Sequence, residues 1–532
     1  MSSSRLKNYE ILDFSDSVLF EALANEWIDS SAVSRLPQPR YLVGYLRHFE
    51  VNKIIIETDY VDRDYLEDYA SFYVSSFKPY NRFTRRLHFF KTDISAADLE
   101  KILLASDPAA EKSLVEAYVG FVVARPLPTA VIGRTVLKTY EEPRLYPVTR
   151  MYYPHLFGIK LQVRSLAYQQ QDTVVAACAT VALWTAFHKT QELFESRRPS
   201  PAEITRQANL VRGSGRAIPS RSLTDVQIGE AIRSVGLEPE CIDVLPEKPL
   251  LSLLYSYCAM GIPVILLVWL RGQGGHAITL TGFRLAETPN TCEPPGRVAY
   301  RGRRIQRLFV HDDNIGPFAY ADIVPKPDEI VNANEDSAER SFYRGAPFAL
   351  QLAYRDDADQ KQITECAPVA VMVPVSHNIR LTFVGIDGWL EALATVLQAY
   401  GSMFGLTYED LDWDVRLTPS NEFKRELRAI TSKPRGTPDV LTTPYPQYIW
   451  RVTLRENDRR IFELSADATE VESAFPFLDI LYHDASIERG IRHAFSLPAV
   501  RDIWSREFGK PLVDFLTRLP GERHMTQQVA AP

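Results

Sequence analysis

The order of secondary-structure patterns between residues 149 and 325 constrains the fold more than any other feature of this sequence. Helical spacing of apolar residues comes first, at 176–194, 225–235 and 250–260. Strand-like runs follow, at 263–270, 276–284 and 307–312. Helices followed by antiparallel strands are typical of the α+β class. We therefore predict one α+β domain over residues 149–325.

The regions on either side of this domain have less specific patterns. Residues 1–148 alternate strand-like and helix-like segments, which favours an N-terminal α/β domain whose role the sequence does not indicate. Residues 326–347 are charged and contain prolines, which is typical of a linker. Residues 348–532 again mix helix and strand patterns. We expect them to form a C-terminal α+β domain that serves recognition or acts as a scaffold.

Composition and charge exclude several classes of protein. The 532 residues include 60 basic and 67 acidic side chains, and the net charge of −7 argues against a protein that coats nucleic acid or an anionic membrane. The longest apolar run, 262–270, is far shorter than the ~20 residues that a membrane-spanning helix needs. We expect no nucleic-acid partner and no membrane span.

The five cysteines are odd in number and widely spaced, which indicates reduced thiols rather than a disulfide framework. None forms a CxxC pair or stands at metal-ligand spacing from a histidine, so we expect no metal and no other cofactor. The first residues lack the apolar core of ~7–15 residues that a secretory signal contains. These features together favour a cytoplasmic protein.

The segment around Cys178 has the clearest chemical signal. A polar turn that includes Gln171 leads into a helix, and Cys178 stands in the first turns of that helix between small alanine side chains. The unpaired N–H groups at a helix N-terminus stabilise a thiolate, and they can also stabilise an oxyanion. A nearby glutamine amide can complete such an oxyanion hole. Cys178 is therefore a candidate nucleophile.

A candidate base and a candidate acid follow in the strand region. His276 is the first residue of a strand-like run and comes directly after a glycine-rich turn. The run at 307–312 ends in Asp312, and Asp313 and Asn314 come next. An acidic residue at this place can accept a hydrogen bond from the imidazole and hold its tautomer. Cys241, Cys258, Cys292 and Cys366 lack a comparable context, and we interpret them as structural.

The alternation of side chains along a strand favours one of the two acids. Asp312 shares its face with the aliphatic residues of the run at 307–312, so it points toward the cleft if that face packs on the core. Asp313 then points to solvent, Asn314 stabilises the turn, and Gly316 lets the chain turn away. We prefer Asp312 as the orienting residue and keep Asp313 and Asn314 as alternatives.

Taken together, these motifs resemble those of the papain-like cysteine peptidases, most closely the bacterial double-glycine-peptidase-like branch. The resemblance covers about residues 160–322 and implies a papain-like fold for the central domain. It implies that Cys178 is the nucleophile, His276 the base and Asp312 the orienting acid. It also implies that Gln171 is the oxyanion donor.

The sequence departs from that family's pattern at two positions. The family's glutamine usually lies six residues before the cysteine, where this chain has Asp172, and Gln171 lies one residue further away. The residue after the cysteine is usually glycine or tryptophan, and here it is Ala179, which is also small. The assignment of Gln171 therefore depends on where the structure places its side chain.

The resemblance implies a cysteine hydrolase that cleaves a peptide or isopeptide bond through a thioester on Cys178, with a protein or peptide as its substrate. Transglutaminase-like and arylamine-acetyltransferase-like enzymes also use Cys, His and Asp in this order, so acyl transfer is an alternative. A further alternative is an interaction protein with a catalytically inactive papain-like core.

Overall fold

The computed structural model describes residues 8–104, 107–172, 174–175, 177–211, 222–296, 298–331, 337–355, 361–404, 406, 411–470 and 475–517. The chain divides into two compact units. Unit 1 comprises Met1–Pro246, Gly261–Leu285 and Gln306–Val375, and unit 2 comprises Glu247–Met260, Ala286–Ile305 and Ser376–Pro532. The elements are a mixture of helices and largely antiparallel strands, which confirms the mixed α+β class.

Unit 1 begins with a five-stranded sheet in which every neighbouring pair is antiparallel. Its strands, in both chain and spatial order, are β1 (Tyr9–Asp13), β2 (Lys53–Tyr60), β3 (Thr84–Phe90), β4 (Tyr118–Ala124) and β5 (Ile132–Leu137). The helices in its connections are α1 (Asp16–Leu23), α2 (Ser30–Val33), α3 (Pro37–His48), α4 (Arg63–Ser71), α5 (Ala96–Leu103) and α6 (Pro108–Glu116), with a 3₁₀ turn at Tyr73–Ser75.

The expected α/β class of this N-terminal region is wrong, because an alternating α/β domain has a parallel sheet. Each connection here returns the chain to the end of the sheet that it left, so neighbouring strands run in opposite directions. Local signals still fix the helix starts. At α5, for example, the Ser95 hydroxyl accepts the N–H of Asp98, and the Asp98 carboxylate accepts the N–H of Ser95.

A group of short strands and longer helices follows in unit 1. These elements are β6 (Arg150–Tyr152), β7 (His155–Leu156), β8 (Ile159–Lys160), β9 (Val163–Ser165), α7 (Cys178–Phe194), α8 (Pro201–Ala208) and α9 (Asp225–Ser234). The helix that the sequence predicts from residue 176 is α7, and Ala176 itself lies outside the described residues. Leu183, Trp184 and Phe187 of α7 are fully buried in the same apolar core as residues of β2, β3 and β4.

The remaining strands of unit 1 form a seven-stranded sheet in the order β10-β16-β11-β12-β13-β14-β15. They are β10 (Leu237–Asp243), β11 (Val264–Leu270), β12 (Gly274–Leu285), β13 (Ile305–Asp312), β14 (Gly316–Val324), β15 (Ala349–Arg355) and β16 (Lys361–Ser376). Because β16 pairs with both β11 and β15, six of these strands form a closed ring. The short helices α11 (Asp328–Val331) and α12 (Ala338–Gly345) lie between β14 and β15 in the chain.

The closing strands β15 and β16 lie in the range that the sequence assigns to the C-terminal domain. Their partners are β14, β11 and β10, all from the central region of the chain. The charged segment 326–347, predicted as a linker, therefore connects two strands of one sheet. Residues 332–336 of that segment lie outside the described residues.

Unit 2 contains a four-stranded antiparallel sheet in the order β17-β18-β19-β20. Its strands are β17 (Leu411–Pro419), β18 (Tyr448–Glu456), β19 (Arg459–Asp467) and β20 (Phe477–Tyr482). Its helices are α10 (Leu250–Cys258), α13 (Phe383–Tyr400), α14 (Ser420–Ala429), α15 (Thr437–Thr442), α16 (Ala485–Ser496), α17 (Pro498–Phe508) and α18 (Lys510–Thr517), with 3₁₀ turns at Arg301–Arg304 and Gly401–Phe404. Among the described residues, no helix combines the length and the apolar character that crossing a bilayer requires.

Candidate active site

Cys178 is the first residue of α7 and is partly exposed. None of the described side chains caps this helix start, and its first turn contains no acidic residue. The free N–H groups of the first turn therefore keep their partial positive charge beside the thiol. The hydroxyl of Thr279 on β12 donates to the carbonyl oxygen of Ala182, 3.1 Å away, and so ties α7 to the seven-stranded sheet.

The loop before Cys178 is held by Asp172. One oxygen of its carboxylate accepts the N–H groups of Val174 and Val175, at 2.8 and 2.5 Å, and the other accepts the hydroxyl of Tyr73 at 3.1 Å. The residue six positions before the cysteine thus shapes the loop, and as a carboxylate it has no hydrogen to donate to an oxyanion.

The neighbouring glutamines have different surroundings. Gln170 is buried, and its amide binds backbone groups of Thr129 and Ile132. Gln171 is partly exposed, and its Nε2 donates to the side-chain oxygen of Asn314 at 3.3 Å. Of these two glutamines, Gln171 is the one that contacts Asn314, whose amide nitrogen lies 3.5 Å from His276 Nε2.

His276 lies near the start of β12, opposite Val268 of β11, and is buried. Its Nε2 lies 3.0 Å from Oδ1 of Asp312, and its side chain also forms a hydrogen bond with Cys178. Burial alone would lower the pKa of His276. The negative charges of the two neighbouring aspartates outweigh that effect and hold its pKa well above the ordinary value.

The turn after β13 brings all three candidate acid or amide groups to the imidazole. Asp312 accepts from the ring and from the N–H of Asn314, at 2.9 Å, and the amide nitrogen of Asn314 lies 3.5 Å from His276 Nε2. Oδ1 of Asp313 lies 3.4 Å from the same Nε2. The pairing of β13 with β14 is irregular between Val310 and Asp312, so strict alternation stops there.

The expectation that Asp313 points to solvent is wrong. Its side chain is only 2% exposed, and neither carboxylate oxygen accepts a hydrogen bond from any other described residue. Burial raises the pKa of this carboxyl to about 7, although the charge of His276 acts in the opposite direction. His276, Asp312 and Asp313 also form the one group among the described residues whose ligand atoms, all within 4.8 Å of one another, could hold a metal ion.

Two residues of α3 hold the acidic turn, and sequence patterns do not indicate either of them. Gln38 is buried and its Nε2 donates to the backbone oxygen of Asp313 at 2.9 Å. The Tyr41 hydroxyl donates to the backbone oxygen of Pro317 at 2.7 Å. Both contacts join positions more than 270 residues apart. No pattern within either segment could have indicated them.

The role of Gly316 differs from the expected one. Its φ is not in the left-handed region, so the turn does not require the freedom of glycine there. A Cβ at this position would instead lie 2.2 Å from a ring carbon of Tyr41. Gly316 is needed because the tyrosine ring of α3 packs directly against the backbone at the end of the acidic turn.

The five cysteines are all free thiols. Cys258 and Cys366 are buried, and burial raises the pKa of both thiols. Burial also raises the pKa of Cys241 and Cys292, although less of each is covered. Cys178 differs from these four in its helix N-terminus and its contact with an imidazole.

Comparison with known proteins adds no family to this description. The chain matches no protein-family model, and no curated protein is significantly similar to it in sequence. The case for a function therefore depends on the geometry of the group around His276.

The close packing of Tyr41 on Gly316 predicts the effect of adding one methyl group. We expect Gly316→Ala to lower the free energy of unfolding by about 1–3 kcal/mol, because the new Cβ must displace the ring or the turn. Gly345→Ala is the matched control, since a Cβ there meets open space. Urea denaturation followed by intrinsic fluorescence measures both. Equal midpoints for the two variants would contradict the packing argument.

Proposed function

We propose that this protein is a cysteine hydrolase that cleaves a peptide or isopeptide bond through a thioester on Cys178. One observation carries the proposal: a single imidazole, His276, contacts both the Cys178 thiol and the Asp312 carboxylate. A nucleophile paired with a base that a third group orients is the arrangement used for acyl transfer by covalent catalysis.

The reaction under this proposal begins with proton transfer from the Cys178 thiol to His276, whose raised pKa favours the imidazolium form. The thiolate attacks the carbonyl carbon, and a carbon–sulfur bond forms as the carbonyl becomes an oxyanion. Collapse of this intermediate breaks the carbon–nitrogen bond, and the imidazolium gives its proton to the leaving amine. The neutral imidazole then takes a proton from water, whose oxygen attacks the thioester and releases the acid and the thiol.

Two kinds of donor support an oxyanion hole beside the thiol. The uncapped first turn of α7 offers backbone N–H groups at Cys178 itself. The amide of Gln171 has two N–H donors. Within the described part of the chain one of them donates to Asn314, which leaves the second for the oxyanion. This argument favours Gln171 over Asp172 despite the family's usual spacing.

A papain-like arrangement of the central region is part of the proposal. Its support is that the helix carrying the thiol packs on an antiparallel sheet whose adjacent strands, β12 and β13, carry the imidazole and the acid. The free state of all five cysteines favours a reducing compartment such as the cytoplasm. A protein or peptide remains the substrate class that we propose.

Selective alkylation tests the nucleophile. Under the proposal, the positive imidazole beside Cys178 stabilises the thiolate, so brief iodoacetamide treatment at about pH 6 should label Cys178 first. The other four thiols should react slowly, because burial raises their pKa. Peptide mapping by mass spectrometry gives the order. His276→Ala is the control and should slow only Cys178. Uniform labelling, or labelling that spares Cys178, would count against the proposal.

A comparison of three variants tests which group orients the imidazole. Asp312→Ala should lower turnover of an activated peptide ester by about 100-fold or more, because it removes the acceptor 3.0 Å from Nε2. Asp313→Ala and Asn314→Ala should each cost less than about tenfold. Thermal melting of all three checks that the fold survives. A larger loss for Asp313→Ala would transfer the role to Asp313, and a larger loss for Asn314→Ala would indicate a papain-type amide.

Acyl transfer remains the second candidate, because the group on Nε2 is an aspartate, as in transglutaminase-like enzymes. The two functions differ only in what attacks the thioester. Supplying a primary amine during turnover and measuring the ratio of amide to acid product separates them. We expect the acid to dominate at millimolar amine. Predominant amide product would favour the transferase, and no turnover together with no labelling of Cys178 would favour an inactive interaction protein.

A further inference from the structure

Two aspartates, Asp312 and Asp313, lie beside His276, which is one acidic side chain more than a thiol–imidazole pair needs. One aspartate suffices to accept a hydrogen bond from Nε2, and Asp312 does so. Asp313 adds a second carboxylate 3.4 Å from the same nitrogen, with a side chain only 2% exposed. Neither of its oxygens accepts a hydrogen bond from another residue in the described part of the chain. A buried carboxylate without donors is costly, and the one imidazole beside Asp313 is already shared with Asp312.

The spacing of these atoms fits a metal ion. Nε2 of His276 lies 3.0 Å from Oδ1 of Asp312 and 3.4 Å from Oδ1 of Asp313, and the three ligand atoms are all within 4.8 Å of one another. Two ligands that are each about 2.1 Å from a tetrahedral ion are about 3.4 Å apart. The ion therefore needs only small side-chain shifts to reach all three atoms.

The charges are also complementary to a divalent cation. Two carboxylates beside one imidazolium leave one buried negative charge that either a proton or a further cation must balance. A divalent cation on a neutral imidazole balances both carboxylates. In addition, the N–H of Asn314 donates to Asp312 at 2.9 Å, which is the kind of outer contact that orients a metal-binding carboxylate.

We propose that His276 Nε2 and the carboxylates of Asp312 and Asp313 bind one divalent transition-metal ion, with Zn²⁺ as the ion that best fits one imidazole and two carboxylates. The ion takes the place of the Nε2 proton, which leaves to solvent. Cys178 is not among the three ligands.

One consequence rests on the proposed function. A metal ion on Nε2 fixes the ring and replaces the proton that Nε2 otherwise donates to Asp312. His276 then no longer exchanges a proton with the thiol. Metal-bound protein is then an inactive hydrolase that a chelator restores. The metal site itself does not depend on this consequence, because its ligands and geometry are independent of any activity.

Metal titration of the full chain tests the site directly. After chelator treatment and desalting, Zn²⁺ is titrated by calorimetry, and Co²⁺ by its visible absorption, which reports a four- or five-coordinate site. We expect one equivalent of either ion to bind wild type and Cys178→Ala alike. Asp313→Asn should weaken binding at least 10–100-fold, the loss typical of even an outer contact to a metal ligand.

Two controls make each outcome decisive. Asp322→Asn removes a half-buried carboxylate that pairs with Arg307 on the neighbouring strand, and it should leave binding unchanged. Asp312→Asn removes a different ligand, and it replaces Asp313→Asn in the titration if Asp313→Asn melts at a lower temperature than wild type. Absence of saturable binding to wild type overturns the site, and so does binding that persists in Asp313→Asn or that requires Cys178. Because Cys178→Ala abolishes the proposed hydrolase, its metal binding separates failure of this inference from failure of the proposed function.

Discussion

The hydrogen bond between His276 Nε2 and Asp312 joins the two strands on which the whole site depends. β12 and β13 are neighbours in the seven-stranded sheet, and each places its polar residue at the end that lies near the start of α7. The apolar remainder of these strands and of α7 is buried, so the polar groups cannot move without disturbing a packed core. A rigid scaffold of this kind holds a reactive group more precisely than loops can.

Much of the scaffold could be predicted, because its signals are local. The start of α5, with its reciprocal contacts between Ser95 and Asp98, depends on four consecutive residues. The apolar runs that form β11 and β12 can likewise be recognised directly in the sequence. Strand partners over long distances could not be predicted. The six-stranded ring closes only because β16 pairs with β11 and β15. No pattern within residues 361–376 indicates which strands those partners are.

The same distinction explains what the sequence revealed of the site. Cys178, His276 and Asp312 each stand at the end of an element, where exposure of a polar side chain is expected, and the structure brings them together. Their chemical roles remain predictions. The surroundings of Asp313 could not be inferred, because strand alternation stops at the irregular pairing before Asp312 and because the turn is held by Gln38, far away in the chain.

The contacts of α3 connect the N-terminal region to the turn that carries both acids. Gln38 and Tyr41 bind backbone oxygens of the turn that carries both acids, and the Tyr41 ring occupies the space beside Gly316. Backbone contacts of this kind fix the direction of the carboxylates without adding charge to the site. They keep Asp313 buried beside Asp312 and His276. Two carboxylates next to one imidazole then require either a proton or a cation to balance their charge. The N-terminal region thus helps to hold the turn that carries both acids.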